Sequence, residues 1–189
     1  LDARGGVIMP GLINTHNHIY SAFARGLSIK GYHPRNFNDI LEGQWWKLDR
    51  LLTLEDDRYS AYATYLNCIR SGVTTVFDHH ASYGQITGSL FAIADVAREL
   101  GVRTCLCYEV SDRDGAAKME EAVLENEAFI QACSADSSDM LYGMMGLHAA
   151  FTLSDATLNY CARHRGEAGY HIHVAEGLAD VQDSLAKHG

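Results

Sequence analysis

Two histidines one residue apart, His16 and His18, close the run VIMPGLINTHNH. On a strand, residues i and i+2 point to the same face, so this pair can aim two imidazoles at a single point, the geometry of metal ligation. Taken alone the spacing is weak evidence, because core and surface histidines are common. The remaining histidines strengthen it by their positions: His79 and His80, His148, and His171 and His173 fall within or just past other short β-rich runs. For any one of them a helix cap or a core filler is a reasonable role; for the whole set it is a poorer one. His171 lies one pleat deeper than His173 on the same face and reads as a hydrogen-bonded interior histidine. In HVAE, Glu176 follows His173 by three residues, near enough to a water on such a metal to act as general acid and base without being a ligand.

These side chains need elements that deliver them to one place. The β-rich runs are 11–16, 73–78, 102–108, 141–147 and 170–174, and they alternate with helical patterns, which predicts a parallel sheet with crossover helices. Thr53 with Asp56 looks like a capping box opening a helix that runs to Arg70 and stops at Gly72. The stretch 89–100 carries an apolar stripe closed by Gly101, and 119–132, 154–163 and 177–188 complete the series. A doubly wound sheet would show a glycine-rich phosphate turn after its first strand, where this chain has THNHIYSAFARG, so the pattern favours a (β/α)8 TIM-barrel type with about the first five βα units present. In a barrel all the strand ends share one face, which would gather the scattered histidines into one cup. The connection 28–52 is long for a βα loop, and such loops often build an active site.

The chain has 189 residues, 47% of them hydrophobic and 21% charged, enough for one core. A net charge of −9 without a basic cluster argues against a nucleic-acid partner. No window of about 18 apolar residues exists, which argues against a membrane partner. LDARGG lacks the order of a signal peptide. Five cysteines without a CxxC pair read as buried thiols of a reducing cytoplasm.

Four stretches carry a family resemblance: VIMPGLINTHNH, GVTTVFDHH, GLHAAFTLSD and HIHVAE. Together they resemble the amidohydrolase superfamily of metal-dependent hydrolases, in its aminohydrolase/chlorohydrolase (deaminase) branch, and they span nearly the whole chain in the family's order. The resemblance makes His16, His18 and His173 ligands of one divalent metal ion, zinc or iron, and Glu176 the catalytic proton shuttle. His148 corresponds to a residue that touches the substrate or the attacked group. Trp45, Trp46 and Ile40 fall in the loop that covers the substrate. Glu109, with Asp112 and Arg113, stands where substrate recognition or an intraloop salt bridge is expected, and His79 is a further substrate-contact candidate. The implied reaction is hydrolytic deamination of a small amino-substituted nitrogen heterocycle; with halide as leaving group the same apparatus dechlorinates.

The resemblance also shows what this stretch lacks. The family completes its site with a histidine after a sixth strand and an aspartate after an eighth, and neither lies within 1–189. The stretch is therefore expected to be part of a longer enzyme, a partial barrel of strands one to five, with weak metal binding and little turnover by itself. Its open sheet edges favour homo-oligomer formation. The rival reading is a non-catalytic barrel relative serving as a scaffold, which would be expected to have lost metal ligands that are intact here. A histidine-rich storage module is excluded because the histidines do not form a tract.

Overall fold

The structure, a computed structural model, describes residues 2–189. Strand β1 (Leu12–Asn17) leads into a 3-10 turn (Ile19–Ala24). A cover segment follows, built from α1 (Phe37–Ile40), a π turn (Leu41–Trp45), α2 (Trp46–Leu48) and a 3-10 turn (Asp49–Leu51). The expected long loop is thus helical over much of its length. Asn36 caps it by accepting from the Asp39 N–H at 2.9 Å, and Gly43 lets the Tyr32 ring lie where a Cβ would otherwise stand.

Beyond it the βα alternation runs as expected. Helix α3 (Leu54–Arg70) opens on the Thr53/Asp56 capping box and leads to β2 (Val73–His80). Helix α4 (Ser89–Leu100) precedes β3 (Arg103–Tyr108), and α5 (Ala116–Ala135) precedes β4 (Leu141–Gly143). Gly72 and Gly101 close α3 and α4 at φ of +76° and +71°, a left-handed turn that glycine adopts without strain.

The expected fourth strand is in fact two. After β4 the chain steps at Met144 and resumes as β5 (Met145–Ala149), followed by α6 (Asp155–His164), β6 (Tyr170–His173) and α7 (Leu178–His188). β1, β2, β3 and β4 pair in that order, all parallel, while β5 pairs in parallel with β6. The step arises because Met144 N–H still bonds to the Leu106 carbonyl, whereas β5 turns toward the residues beyond β3: Val110 N–H donates to Gly146 O at 3.2 Å and His148 N–H to Val110 O at 3.0 Å. Gly146 allows this, since a Cβ there would stand 2.2 Å from the Tyr108 carbonyl oxygen. No continuous apolar run can announce such a break.

Val76, Leu106 and Met145 from the strands pack with Ile93, Val96, Val123 and Phe129 from the helices, all buried. All five cysteines are free thiols, four of them buried. No helix among the described residues is long and apolar enough to cross a membrane. The outer edges of β1 and β6 are unpaired among the described residues, and Leu12, Ile13 and Ile172 beside them are exposed. With every strand parallel, the C-terminal ends open toward one side, where the histidines collect.

Candidate functional site

His16 is the second-last residue of β1, and His18 comes directly after the strand, where the backbone leaves the sheet at φ −128° and ψ 86°. Their Nε2 atoms stand 3.2 Å apart. His173, the last residue of β6, brings its Nε2 to 3.2 Å from that of His18. The potential ligand atoms of His16, His18 and His173 lie within 4.8 Å of one another.

The second nitrogen of each ring shows whether a metal fits. His18 Nδ1 donates to the His79 carbonyl at 2.7 Å, and His173 Nδ1 donates to the His148 carbonyl at 3.0 Å. A carbonyl oxygen only accepts, so both rings carry their proton on Nδ1 and turn bare Nε2 lone pairs toward each other. Burial pushes the pKa values of His18 and His173 down to about 3 and about 4, with the neighbouring imidazoles adding to the effect. Two neutral rings facing lone pair to lone pair repel, and a cation between them removes that repulsion. Carbonyl partners on the far nitrogen are also the usual support of metal-binding histidines.

His16 is the exposed member of the group. Its Nδ1 lies 2.9 Å from His171 Nε2. His171 is accordingly hydrogen-bonded as expected, but half-exposed and not interior.

Above the imidazoles is a cavity of about 190 Å³ lined by His18, His148, His173, Glu176, Glu109 and the Trp45–Trp46 pair. His148 Nδ1 donates to Thr152 Oγ1 at 2.8 Å, because that hydroxyl gives its own proton to the Ala149 carbonyl, so His148 also offers a bare Nε2. Burial, with Arg113 second, lowers its pKa to about 4. The potential ligand atoms of His148, His173 and Glu176 likewise lie within 4.8 Å of one another. Glu176 sits exposed at the rim, its pKa raised by partial desolvation, then by Asp180 and Glu109. The turn that carries it is held by Asp180, which accepts from the Ala175 N–H at 2.6 Å while Ala175 takes a left-handed φ of +57°. A larger open groove of about 830 Å³ borders Trp46 and Arg113 but contains none of the three converging imidazoles.

Glu109 follows β3 and is buried. Arg113 Nη2 is 3.2 Å from its Oε1, yet the geometry makes no hydrogen bond, and that oxygen remains without a hydrogen-bond partner. The same guanidinium bonds to Asp49 of the cover segment and stacks 3.8 Å over Tyr83 and 5.2 Å from Trp46. The salt bridge expected within this loop is present, and it extends to the cover segment.

His79, the further substrate-contact candidate, is fully buried, is not among the residues lining this cavity, and bonds through Nε2 to the Leu147 carbonyl at 3.0 Å. Its ring packs against that of His173, with centroids 4.4 Å apart and planes tilted by 58°. Sequence reasoning missed Asp49, Tyr83, Asp78 and Asp180. Of these only Asp180, an acidic residue in the first turn of α7, had a visible local signal.

The profile of the Amidohydrolase family matches residues 7–189. The chain is 29% identical over 193 residues to a 5'-deoxyadenosine deaminase of Methanobrevibacter smithii, covering 100% of this chain and 41% of that protein. In structure it is similar to an adenosine deaminase from Xanthomonas campestris with bound zinc, at TM-score 0.78 and 20% identity over 96% of this chain and 39% of the other. A triazine hydrolase from Arthrobacter aurescens gives TM-score 0.70 and 21% identity, over 95% and 43% of the two chains. The chain therefore spans about two fifths of the length of these relatives.

Proposed function

The chain belongs to the amidohydrolase family, and on that footing we propose that it forms the metal-binding part of a hydrolase that removes an amino group from a nitrogen heterocycle of the adenine-nucleoside type. The observation that carries this reading is the convergence of bare Nε2 atoms with their Nδ1 protons committed to backbone carbonyls. His16, His18 and His173 would hold one divalent ion, and imidazole donors suit zinc or iron. The zinc in the Xanthomonas deaminase favours zinc. When bound, such an ion lowers the pKa of water toward neutrality and so supplies hydroxide at pH 7.

The chain's own side chains do the rest. Glu176, at the rim beside His173, takes a proton on its carboxylate and returns it to the ring nitrogen or the departing amine. Its raised pKa brings it closer to the pH at which both transfers are efficient. His148 Nε2 accepts a hydrogen bond from the substrate. Trp46 offers a flat apolar wall to the heterocycle and, with Trp45, excludes water. Glu109 Oε1, ion-paired with Arg113 but without a hydrogen bond, accepts from a ring N–H or amino group. Halide as leaving group would give a dechlorinating hydrolase with the same residues, a second reading that the triazine hydrolase fold permits. The free thiols fit a cytoplasmic setting.

The test is ammonia release from 6-aminopurine nucleosides and aminopyrimidines by zinc-loaded protein at high concentration, with chlorotriazines as the second arm. Slow release that requires both zinc and Glu176 is expected. Chloride release without ammonia would favour the second reading, and the absence of any zinc- and Glu176-dependent product would contradict both.

A further inference from the structure

The end of β1 is held by two consecutive residues of β2. Asp78 is fully buried, and its Oδ1 accepts from the Ile19 backbone N–H at 2.6 Å and from the Asn17 side-chain amide at 3.4 Å. The next residue, His79, takes the His18 Nδ1 proton on its carbonyl. His18 and the residues on both sides of it are thus tied to one short stretch of β2.

These ties fall where the strand ladder fails. The register of β1 on β2 jumps from Asn14–Val76 to Asn17–Asp78, so three steps of one strand face two of the other. A bulge of this kind re-aims side chains but gives up the regular pairing that fixes a strand end. Asp78 Oδ2 makes no hydrogen bond although it is buried. Keeping a half-satisfied carboxyl group in a core is costly, and such groups call for an explanation beyond packing.

We infer that Asp78 is a positioning residue for the metal centre, fixing the backbone on either side of His18 so that the His18 imidazole meets those of His16 and His173. The inference rests on the metal-centre reading for its purpose, but the clamp itself can be tested without metal. Two measurements separate the two. Zinc affinity is read by competition with a chromophoric chelator, and the His18 tautomer in metal-free protein is read from imidazole nitrogen NMR shifts.

In wild type the Nδ1–H form of His18 dominates. Asp78→Ala is expected to mix the tautomers and weaken zinc binding about tenfold or more, as is usual for residues that orient ligands. Asp78→Asn retains an acceptor oxygen for the Ile19 N–H and should restore both readouts. Should Asp78→Ala fail to fold, Asp78→Thr serves instead, because its hydroxyl is too short to reach that N–H. Unchanged tautomer and zinc affinity in the clamp-less variant would overturn the inference, as would failure of Asp78→Asn to rescue. If wild type binds no zinc, the metal-centre reading falls; a mixed tautomer in Asp78→Ala then still supports the clamp, and an unchanged one overturns it.

Discussion

His18 and His173, 155 residues apart in sequence, face each other Nε2 to Nε2 at 3.2 Å, and each commits Nδ1 to a backbone carbonyl. The arrangement is repulsive without a cation and cohesive with one. Zinc should therefore stabilise the fold. At a free zinc concentration 100 times its dissociation constant the gain is about 2.7 kcal/mol, which for a domain of this size raises Tm by roughly 5–10 °C. Differential scanning fluorimetry with zinc and then with excess chelator checks this, and His18→Ala should abolish the shift.

Glu176 is at the rim and is not one of the three converging imidazoles. Glu176→Gln should leave zinc affinity within about threefold of wild type while lowering turnover by about 10²–10⁴, the usual worth of a general acid and base. Parallel zinc titration and ammonia assays read the two effects. A large loss of zinc affinity would instead make Glu176 a ligand.

Asp78 gives the fold a pH dependence. Burial raises its pKa to about 7, against the opposing effects of His80 and the bonds from Ile19 and Asn17. A carboxyl group raised in the folded state binds its proton there while the unfolded chain has already lost it. Its contribution is fully present below about pH 4, the pKa of an unperturbed Asp, and is lost as pH rises through about 7. Urea midpoints should fall between pH 5 and pH 8 by the equivalent of a few kcal/mol, and Asp78→Asn should flatten that slope.

Arg113 pins the cover segment. It pairs with Asp49, approaches Glu109 and stacks between Tyr83 and Trp46, with the three charged side chains at 5% exposure or less. Arg113→Ala leaves two buried carboxylates unpaired and should cost about 3–5 kcal/mol in urea unfolding. Arg113→Lys keeps the charge but loses the planar fork and the stacking, so it should recover only part of that stability.

Much of this arrangement was legible because the chain writes it locally. The capping box at Thr53, the terminal glycines at 72 and 101 and the β-rich runs between them are short-range signals, and the helices and strands follow them closely. The i, i+2 spacing of His16 and His18 pointed to one place, and the structure brings His173 to that place as well. What was illegible depends on contacts distant in sequence. The break at Met144 is set by Tyr108 and Val110, more than thirty residues earlier. His79 and His80 look alike in sequence, and only the pleat of β2 shows that both are buried, one against Leu147 and the other toward Asp57. The cover segment hid its helices because Gly43 and a π turn interrupt the apolar period.

The central claim is that His16, His18 and His173 form one metal site. A competition titration of zinc into wild-type and His18→Ala protein, side by side, tests it most directly. One zinc per chain in wild type, weakened at least a hundredfold by His18→Ala, is the predicted result. No zinc bound, or binding that His18→Ala leaves unchanged, would contradict it.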